Sequence, residues 1–300
     1  MKKEVSLSFA ERYRPRLMEL YRSKYFNLFA SKYKWEGLTK EAENFLMRHL
    51  WDDGTICAFN KGKIEEENIQ GVLTFAKWVL STYDEYGYPA TAKPINQWQQ
   101  KSFPDSVTFG IDAVYMYAQA DKKPIVEIVD TYLKNIVDVE ILIKVHEFNQ
   151  KMPLLIKSSP ENKDKLDEFM KKIYRDELSI YVTELEANSL EVLSTGAPFL
   201  LDKLYQYKDQ REAELKTFLG LDNSTKMENT IIPNADMVNA NNQEINASGD
   251  VFLRPMEKFA EEISEVLGQT VSVELTQKPV TSIHDDDGLT EEKDDGRDDD

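Results

Sequence analysis

The sequence is poor in the side chains on which most enzymes and metalloproteins depend. Among 300 residues it has one cysteine, Cys57, and three histidines, which excludes an intrachain disulfide and a cysteine-rich zinc or iron–sulfur site. It also lacks a glycine-rich phosphate loop, an H-E-x-x-H sequence, a G-x-S-x-G sequence and a dinucleotide fingerprint. We therefore expect no enzymatic activity, no cofactor and no metal site. The enzymatic alternative that stays open is a nuclease or other hydrolase built on clustered carboxylates.

Long apolar runs without charge are also missing. Lys2 and Lys3 are followed by further charged residues rather than by an apolar segment, so no signal peptide is predicted. The most apolar stretch, residues 125–148, contains seven acidic or basic side chains, too many for a membrane span. These features predict a soluble protein, made in a reducing, intracellular compartment, that has no membrane partner.

Positive charge is scarce overall but concentrated near the N-terminus. The chain has 37 Lys plus Arg against 54 Asp plus Glu, a formal net charge of −17, which argues against wrapping nucleic acid with the whole surface. Residues 1–34 nevertheless hold nine basic residues against three acidic ones. Apolar and aromatic side chains recur there at helical spacing, which predicts a basic amphipathic helix. We expect Arg12, Arg14 and Arg16 on this helix to contact a polyanion; the alternative is a solvated surface helix.

The C-terminal end has the opposite composition. Residues 284–300 hold ten acidic residues against two basic ones. Such a run repels itself and has nothing apolar to bury, so it predicts a disordered acidic tail. The acid spacing of an EF-hand, with its closing Glu, is absent from it.

Hydrophobic periodicity predicts a long helix over residues 124–150. Six side chains repeat there with alternating spacings of four and three and form one seam: Ile125, Val129, Tyr132, Ile136, Val139 and Ile143. The apolar surface is wider than one seam, which predicts that the helix packs against neighbouring subunits. Ion pairs along the helix are predicted at two four-residue spacings: Asp130 with Lys134, and Glu140 with Lys144.

The rest of the chain is predicted to alternate helices with short strands. Residues 50–123 are rich in glycine, proline and aromatic side chains, which is typical of short strands and turns. A small αβ insert over 151–196, with strands at 154–156 and 178–182 around a helix, precedes a second long helix over 197–220. The predicted fold class is α+β, mainly α.

Residues 221–248 are predicted to form a long loop. The segment contains seven asparagines and few large apolar side chains, and it is bounded by Gly220 and Gly249. Loops of this length in a compact domain are usually functional or disordered. A strand over 251–253, a helix over 255–267 and a strand over 270–275 are predicted to follow it.

An ordered series of segments in this chain resembles one known protein family. Similarity runs over about residues 124–275 and more faintly through YKWEGL at 33–38. The segments that carry it are NQKMPLLI at 149–156, SLEV at 189–192, GAPFLLDKL at 196–204, TFLGL at 217–221 and SGDVFL at 248–253. In this order they look like the portal protein, also called head–tail connector or upper collar protein, of small short-tailed bacteriophages.

The resemblance implies a ring of twelve subunits at one capsid vertex, with a channel through which double-stranded DNA is packaged, retained and later ejected. It implies a virion protein that is assembled in the host cytoplasm. Its partners would be other copies of the chain, DNA, the packaging ATPase or its RNA, and the capsid and lower collar or tail proteins. The implied segments are a basic arm and wing (1–123), two stem helices (124–150 and 197–220), a clip insert (151–196), a channel loop (221–248), a C-terminal wing piece (249–283) and the acidic tail (284–300).

Site residues follow from the resemblance and from the residues themselves. Lys203 matches a lysine that faces the channel in the family, whereas Ser194 stands where a second stem lysine is expected. The lysine pair of the family's channel loop is missing, and Lys226 is the lysine nearest to it. The amides of Asn229 and Asn234 can bind phosphates without adding charge, which suits a clamp that must release DNA.

A different class of function also fits the composition. The basic helix and the acidic tail are equally expected in a monomeric or dimeric adaptor that binds other proteins and forms no channel. Ring formation distinguishes the two functions, because the adaptor needs no ring.

Overall fold

The chain forms an α+β fold in which helices predominate, which confirms the predicted fold class. The computed structural model describes residues 9–62, 71–99, 103–151, 154–157, 191–194, 200–223 and 235–276. Its helices within these residues are α1 (Phe9–Ser31), α2 (Lys40–Asp52), α3 (Ile125–Lys151), α4 (Leu201–Phe218) and α5 (Ala235–Leu267). Its strands there are β1 (Tyr33–Glu36), β2 (Thr55–Lys61), β3 (Val72–Ala76), β4 (Trp78–Tyr83), β5 (Pro89–Pro94), β6 (Val107–Thr108), β7 (Ala113–Tyr117), β8 (Leu154–Lys157), β9 (Glu191–Ser194) and β10 (Ser272–Leu275).

Two compact units make up the chain. The smaller unit comprises Met1–Arg14 and Ile136–Gln210, and the larger unit comprises Pro15–Asn135 and Arg211–Asp300. The division falls inside α1, α3 and α4. Each of these three helices therefore has one segment in each unit.

The predicted N-terminal helix is present as α1. Leu17, Tyr21, Tyr25 and Phe29 are buried on one of its faces, four residues apart. Leu20, which the same periodicity includes, is 62% exposed. The buried stripe is narrow because it follows one row of residues spaced four apart. Leu20 directly precedes Tyr21 of that row and lies to one side of it.

Aromatic rings hold together the core of the larger unit. Phe252 of α5 makes edge-on contacts with Phe29 of α1 at 5.2 Å and with Phe218 of α4 at 5.7 Å between ring centroids. Phe218 also stacks on Tyr132 of α3 at 5.7 Å, and Phe29 contacts Trp51 of α2 at 5.6 Å. Edge-on and offset contacts are the favoured geometries of aromatic pairs. One aromatic cluster thus joins all five helices within this unit.

Short antiparallel strands occur in the described part of residues 53–123, where the composition predicted strands and turns. They form two three-stranded sheets, with the orders β3-β2-β7 and β4-β5-β6. Cys57, Phe59, Ala76, Ala92, Val107 and Ala113 form a small buried core contributed by both sheets. Elsewhere in the larger unit β1 pairs antiparallel with β10, so that Tyr33 lies opposite Leu275.

In the smaller unit, β8 confirms the strand predicted at 154–156. Its antiparallel partner is β9, in the register Leu154 opposite Ser194. The sequence had placed the next strand at 178–182, which lies outside the described residues together with the predicted helix before it. The sequence analysis did not predict β9, because its four residues do not alternate strictly between apolar and polar side chains and so give a weak strand signal.

The C-terminal helix α5 differs most from prediction. It is one helix of 33 residues, Ala235–Leu267, so residues 235–248 are not loop and residues 251–253 are not a strand. Gly249, Pro255 and the asparagines suggested breaks, but their local preferences are overridden by packing. Buried side chains recur along the helix at spacings of three, four or, once, seven residues: Asn242, Ile245, Phe252, Met256, Phe259, Ile263 and Leu267.

Gly220 ends α4 in the way predicted for a C-terminal cap. Its φ is +65°, its N–H donates to Thr217 O at 2.9 Å, and the next N–H, of Leu221, donates to Lys216 O at 2.8 Å. A Cβ at Gly220 would lie 2.5 Å from the Cα of Gly249. Both the left-handed backbone and the close approach to α5 therefore require glycine.

Candidate functional site

In the smaller unit, α3 and α4 are joined by charged and polar contacts. The amine of Lys208 lies 2.5 Å from a carboxylate oxygen of Glu140, and each side chain is 17% exposed. The hydroxyl of Tyr205 donates to Glu147 at 2.8 Å, and Lys144 contacts the same carboxylate at 3.0 Å. The prediction that Glu140 pairs with Lys144 is therefore wrong: Glu140 pairs with Lys208 of the facing helix. The attraction is stronger there because both charged groups are partly shielded from water.

Lys203 lies in the first turn of α4 with its side chain exposed. This position is compatible with the contact to DNA expected from the resemblance. Lys226, Asn229 and Asn234 lie outside the described residues. Contacts of these four side chains with DNA stay a prediction.

The basic side chains of α1 are largely engaged within the chain. In the smaller unit Arg14 forms an ion pair with Asp138 of α3. In the larger unit Arg22 binds both carboxylate oxygens of Asp130, at 2.6 and 2.5 Å. This contact replaces the predicted pair of Asp130 with Lys134. A bidentate guanidinium pair is stronger than a flexible lysine along the same helix.

Lys24 of α1 is engaged in the same way. Its amine lies 3.1 Å from Glu212 of α4 and 5.0 Å from the ring centroid of Tyr25. The basic surface that α1 offers to a partner is consequently smaller than the count of basic residues suggested. Arg12 and Arg16 are exposed, and they are the stronger candidates for an external contact among the three predicted arginines.

Ile136 and Ile143 are 0% and 1% exposed in the single chain. The apolar seam of α3 thus belongs to the core of the chain itself, and these two side chains are not available at its surface. Leu142 and Val145 of the same helix are 44% and 41% exposed. Sequence periodicity alone does not distinguish a seam buried within a subunit from one buried between subunits.

Asparagines that the sequence assigned to a loop form a hydrogen-bonded pair. The amide of Asn241 donates to the Asn223 carbonyl oxygen at 2.8 Å, and the Asn223 amide donates to Asn241 at 3.3 Å and to the Thr217 hydroxyl at 2.6 Å. These contacts tie the end of α4 to the first part of α5. Asn239, Asn242 and Asn246 also have partners, so these asparagines contribute contacts to the fold.

A cavity of about 300 Å³ lies in the larger unit beside the C-terminal ends of α1 and α4. Two half-buried lysines, Lys32 and Lys216, line it together with the carboxylates of Asp222 and Asp250. The remaining lining is apolar, hydroxyl or glycine: Leu28, Ser31, Gly220, Leu221, Ile245, Gly249, Leu275 and Thr276, with the amide of Asn246. In the sequence Gly220 marks the end of a predicted helix and Gly249 the end of a predicted loop, and neither pattern indicates that the two backbones approach each other.

Burial lowers the pKa of Lys32 to about 8, because the ammonium is partly desolvated. The nearby Asp250 carboxylate opposes this effect and raises the pKa, but by less than burial lowers it. In the same region burial raises the pKa of Tyr33 above its ordinary range. The charge of Lys32 is therefore only partly compensated by its surroundings.

Two findings concern the part of the chain that the structure describes. In it, no group of three or more His, Cys, Asp or Glu side chains is placed to hold a metal ion. No helix within these residues is both long and apolar enough to cross a membrane.

Cys57 is buried, its thiol donates to Ala76 O at 3.3 Å, and burial raises its pKa to about 12.

The class of protein is shown by the family comparison: the chain is a phage head–tail connector, as the ordered sequence segments suggested. The chain matches the family described as Phage Connector (GP10) over residues 4–280 and belongs to that family. Members of the family are structural parts of the virion, in general not enzymes; portal proteins form oligomers and interact with capsid and tail.

Two solved structures are also similar to this chain. One is described as the portal and tail of native bacteriophage P68, with 10% identity, a TM-score of 0.48, and coverage of 91% of this chain and 90% of that chain. The other is a HK97 family phage portal protein from Corynebacterium diphtheriae, with 10% identity, a TM-score of 0.45, and coverage of 85% of this chain and 91% of that chain.

Proposed function

We propose that this connector assembles into a closed ring of about twelve subunits around a channel for double-stranded DNA, through which the genome is packaged, retained and ejected. The observation that carries the proposal is the family match over residues 4–280, which includes every helix and strand described above. The ring would sit at one capsid vertex, bound to capsid and lower collar or tail proteins. Assembly would take place in the host cytoplasm.

Exposed apolar side chains on α3 and α4 support an assembly contact in the smaller unit. Monomeric proteins scatter such side chains singly, whereas clusters on neighbouring helices are typical of interaction surfaces. In this unit four large side chains, two on α3 and two on α4, are each between 41% and 44% exposed: Leu142, Val145, Tyr205 and Tyr207. We infer that these side chains, rather than Ile136 and Ile143, contact the next subunit.

Sparse positive charge in an acidic chain suits a channel that must let DNA slide. General repulsion with a few attractive rings centres the duplex, whereas a uniformly basic wall would hold it. One exposed Lys203 per subunit becomes a ring of positive charge by symmetry. Lys226, Asn229 and Asn234 are proposed to add contacts to phosphates from the segment between α4 and α5.

The N-terminal helix is proposed to contact the packaging ATPase or its RNA. Arg12 and Arg16 carry this proposal because they are exposed. Arg14 is expected to contribute less, since it already pairs with Asp138. The chain itself is proposed to have no enzymatic activity, so that energy for packaging comes from the separate ATPase.

Ring formation is tested by light scattering and negative-stain images of the purified full chain. We expect a particle many times the 34.7 kDa of one chain, and Leu142→Asp should weaken assembly while leaving circular dichroism unchanged. Ile136→Asp should instead unfold the subunit, because it buries an unpaired charge inside the chain.

A folded monomer or dimer at micromolar concentration would refute the ring and favour a protein-binding adaptor. Assembly that survives Leu142→Asp would refute the proposed contact surface but not the ring. For DNA, rings of Lys203→Gln should bind duplex more weakly and with a smaller salt dependence than the unchanged ring. An unchanged salt dependence would remove Lys203 from the proposed channel contacts.

A further inference from the structure

The cavity beside Lys32 combines an apolar floor with two amines. Leu28, Ile245 and Leu275 supply apolar lining, while Lys32 and Lys216 approach from the ends of different helices. At about 300 Å³ the cavity admits a small molecule or ion but not a folded segment of another protein. Its lysines belong to the larger unit and are separate from the proposed DNA contact at Lys203.

Neither amine is neutralised at contact distance. Among the residues that the structure describes, other cations form ion pairs within 4.0 Å, including Arg22, Lys24 and Lys208. Lys32 and Lys216 form no such pair there, and the Lys32 amine lies 5.6 Å from the ring centroid of Tyr33. The carboxylate of Asp250 is directed to Arg254, at 3.2 Å. Asp222, the other acid in the lining, is exposed and therefore screened by solvent.

Two glycines fix the place of the Lys32 amine. A Cβ on Gly220 or on Gly249 would lie 2.5 Å from the Lys32 Nζ atom, so the amine rests against bare backbone at both positions. Gly249 lies inside helix α5, where glycine is unfavourable relative to alanine. The space that it leaves for the Lys32 amine is a physical reason for glycine at this position.

We propose that the Lys32–Lys216 pocket binds a small oxyanion of the phosphate class, with both lysine amines donating to its oxygens. The lysine ammonium group binds phosphate through a single localised charge, and two amines on separate elements can donate to the same tetrahedral anion. The lowered pKa of Lys32 agrees with a partly buried cation whose charge is only partly compensated by Asp250. The phosphate is either free in solution or part of a nucleic acid, and the proposal does not depend on ring formation.

The charged groups around the pocket set the expected linkage to pH. Lys32 lines the cavity with Lys216 of α4, Asp222 after α4 and Asp250 of α5. Arg254 pairs with Asp250, and the ring of Tyr33 lies under the Lys32 amine. A bound anion favours the charged form of Lys32. Phosphate binding should therefore be accompanied by proton uptake near pH 8 and should raise the pKa of Lys32.

Competitive acetylation of the full chain, read by mass spectrometry, tests the pocket. The pH dependence of labelling at Lys32 is compared in inorganic phosphate and in sodium chloride of equal ionic strength, since screening alone alters lysine titration. We expect phosphate to raise the midpoint by about one pH unit and to slow labelling at pH 8 about fivefold, because the unprotonated fraction of Lys32 falls in that proportion. Lys40, an exposed lysine at the start of α2, should label equally in both salts.

Two variants separate the pocket from general charge. Lys216→Gln removes one amine, whereas Gly249→Ala keeps both amines but displaces the Lys32 side chain by the added Cβ. In each variant phosphate should lose most of its protection of Lys32 against acetylation, while the circular dichroism of the chain is unchanged. Protection of Lys32 by a short DNA duplex at lower phosphate concentration would assign the anion to nucleic acid, and protection by inorganic phosphate alone would assign it to the free ion. Equal labelling of Lys32 in phosphate and chloride, or full protection in both variants, would overturn the proposal.

Discussion

Replacing Phe252 by alanine should strongly destabilise the larger unit. Phe252 is 1% exposed, and its ring is the point at which α5 meets α1 and α4. Deleting a buried Phe side chain costs about 3–5 kcal/mol, from lost burial and from the cavity that remains. Two edge-on aromatic contacts, each contributing about 0.5–1.5 kcal/mol, place the loss in the upper part of this range.

The neighbouring Val251 provides a matched control on the same helix. It is 50% exposed, and Val251→Ala should change the free energy of unfolding by less than about 0.5 kcal/mol. For a unit of this size the Phe252→Ala loss corresponds to a midpoint lowered by about 6–20 °C. Thermal unfolding of both variants is followed by circular dichroism at one protein concentration, because assembly itself shifts the midpoint.

A loss below about 1 kcal/mol for Phe252→Ala, or equal losses for the two variants, would refute the packing of α5. Either outcome would contradict the burial along α5, in which Phe252 is buried and Val251 is exposed.

Three further predictions follow from the glycines, the cysteine and Lys32. Gly87→Ala should lower the free energy of unfolding by roughly 1 kcal/mol, and Gly220→Ala by at least twice as much. Both residues have positive φ, but of the two only Gly220 has backbone within 3 Å of a new Cβ. Equal losses in urea unfolding would contradict this. Cys57 should react with a thiol reagent at pH 8 only after denaturation, because its thiol is buried and its pKa is raised to about 12; rapid reaction of the folded chain would exclude its burial. Between about pH 8 and 10 the folded chain releases the Lys32 proton, whereas the unfolded chain, with its lysine pKa of 10.5, retains it. The free energy of unfolding should therefore rise with pH in this range. Lys32→Met should flatten that rise.

The long helices could be predicted because their signal repeats over many residues. α3 was found within one residue at each end, and Gly220 correctly marked the end of α4. The partners of the charged side chains could not be predicted in the same way. Glu140 selects Lys208, and Asp130 selects Arg22, because tertiary packing brings these cations from other helices.

The candidate surfaces show the same limit. Periodicity placed Ile136 and Ile143 on an apolar face, but only the fold shows that this face is filled by the chain's own core. The asparagines after α4 suggested polar loop chemistry, yet Asn223 and Asn241 satisfy each other across two elements. Lys32 and Lys216 are 184 positions apart in the sequence, so no local pattern indicates that they share a cavity.

The close packing of Gly220, Gly249 and Lys32 constrains how this protein can diverge. Every single-nucleotide change of a glycine codon that alters the amino acid adds at least a Cβ atom, and here that atom would meet the Lys32 amine at 2.5 Å. A substitution at Lys32 that shortens its side chain removes this obstacle at Gly249, although Gly220 still meets the backbone of α5. We therefore expect a fixed order of change among relatives of this chain: Lys32 first, Gly249 next, and Gly220 last.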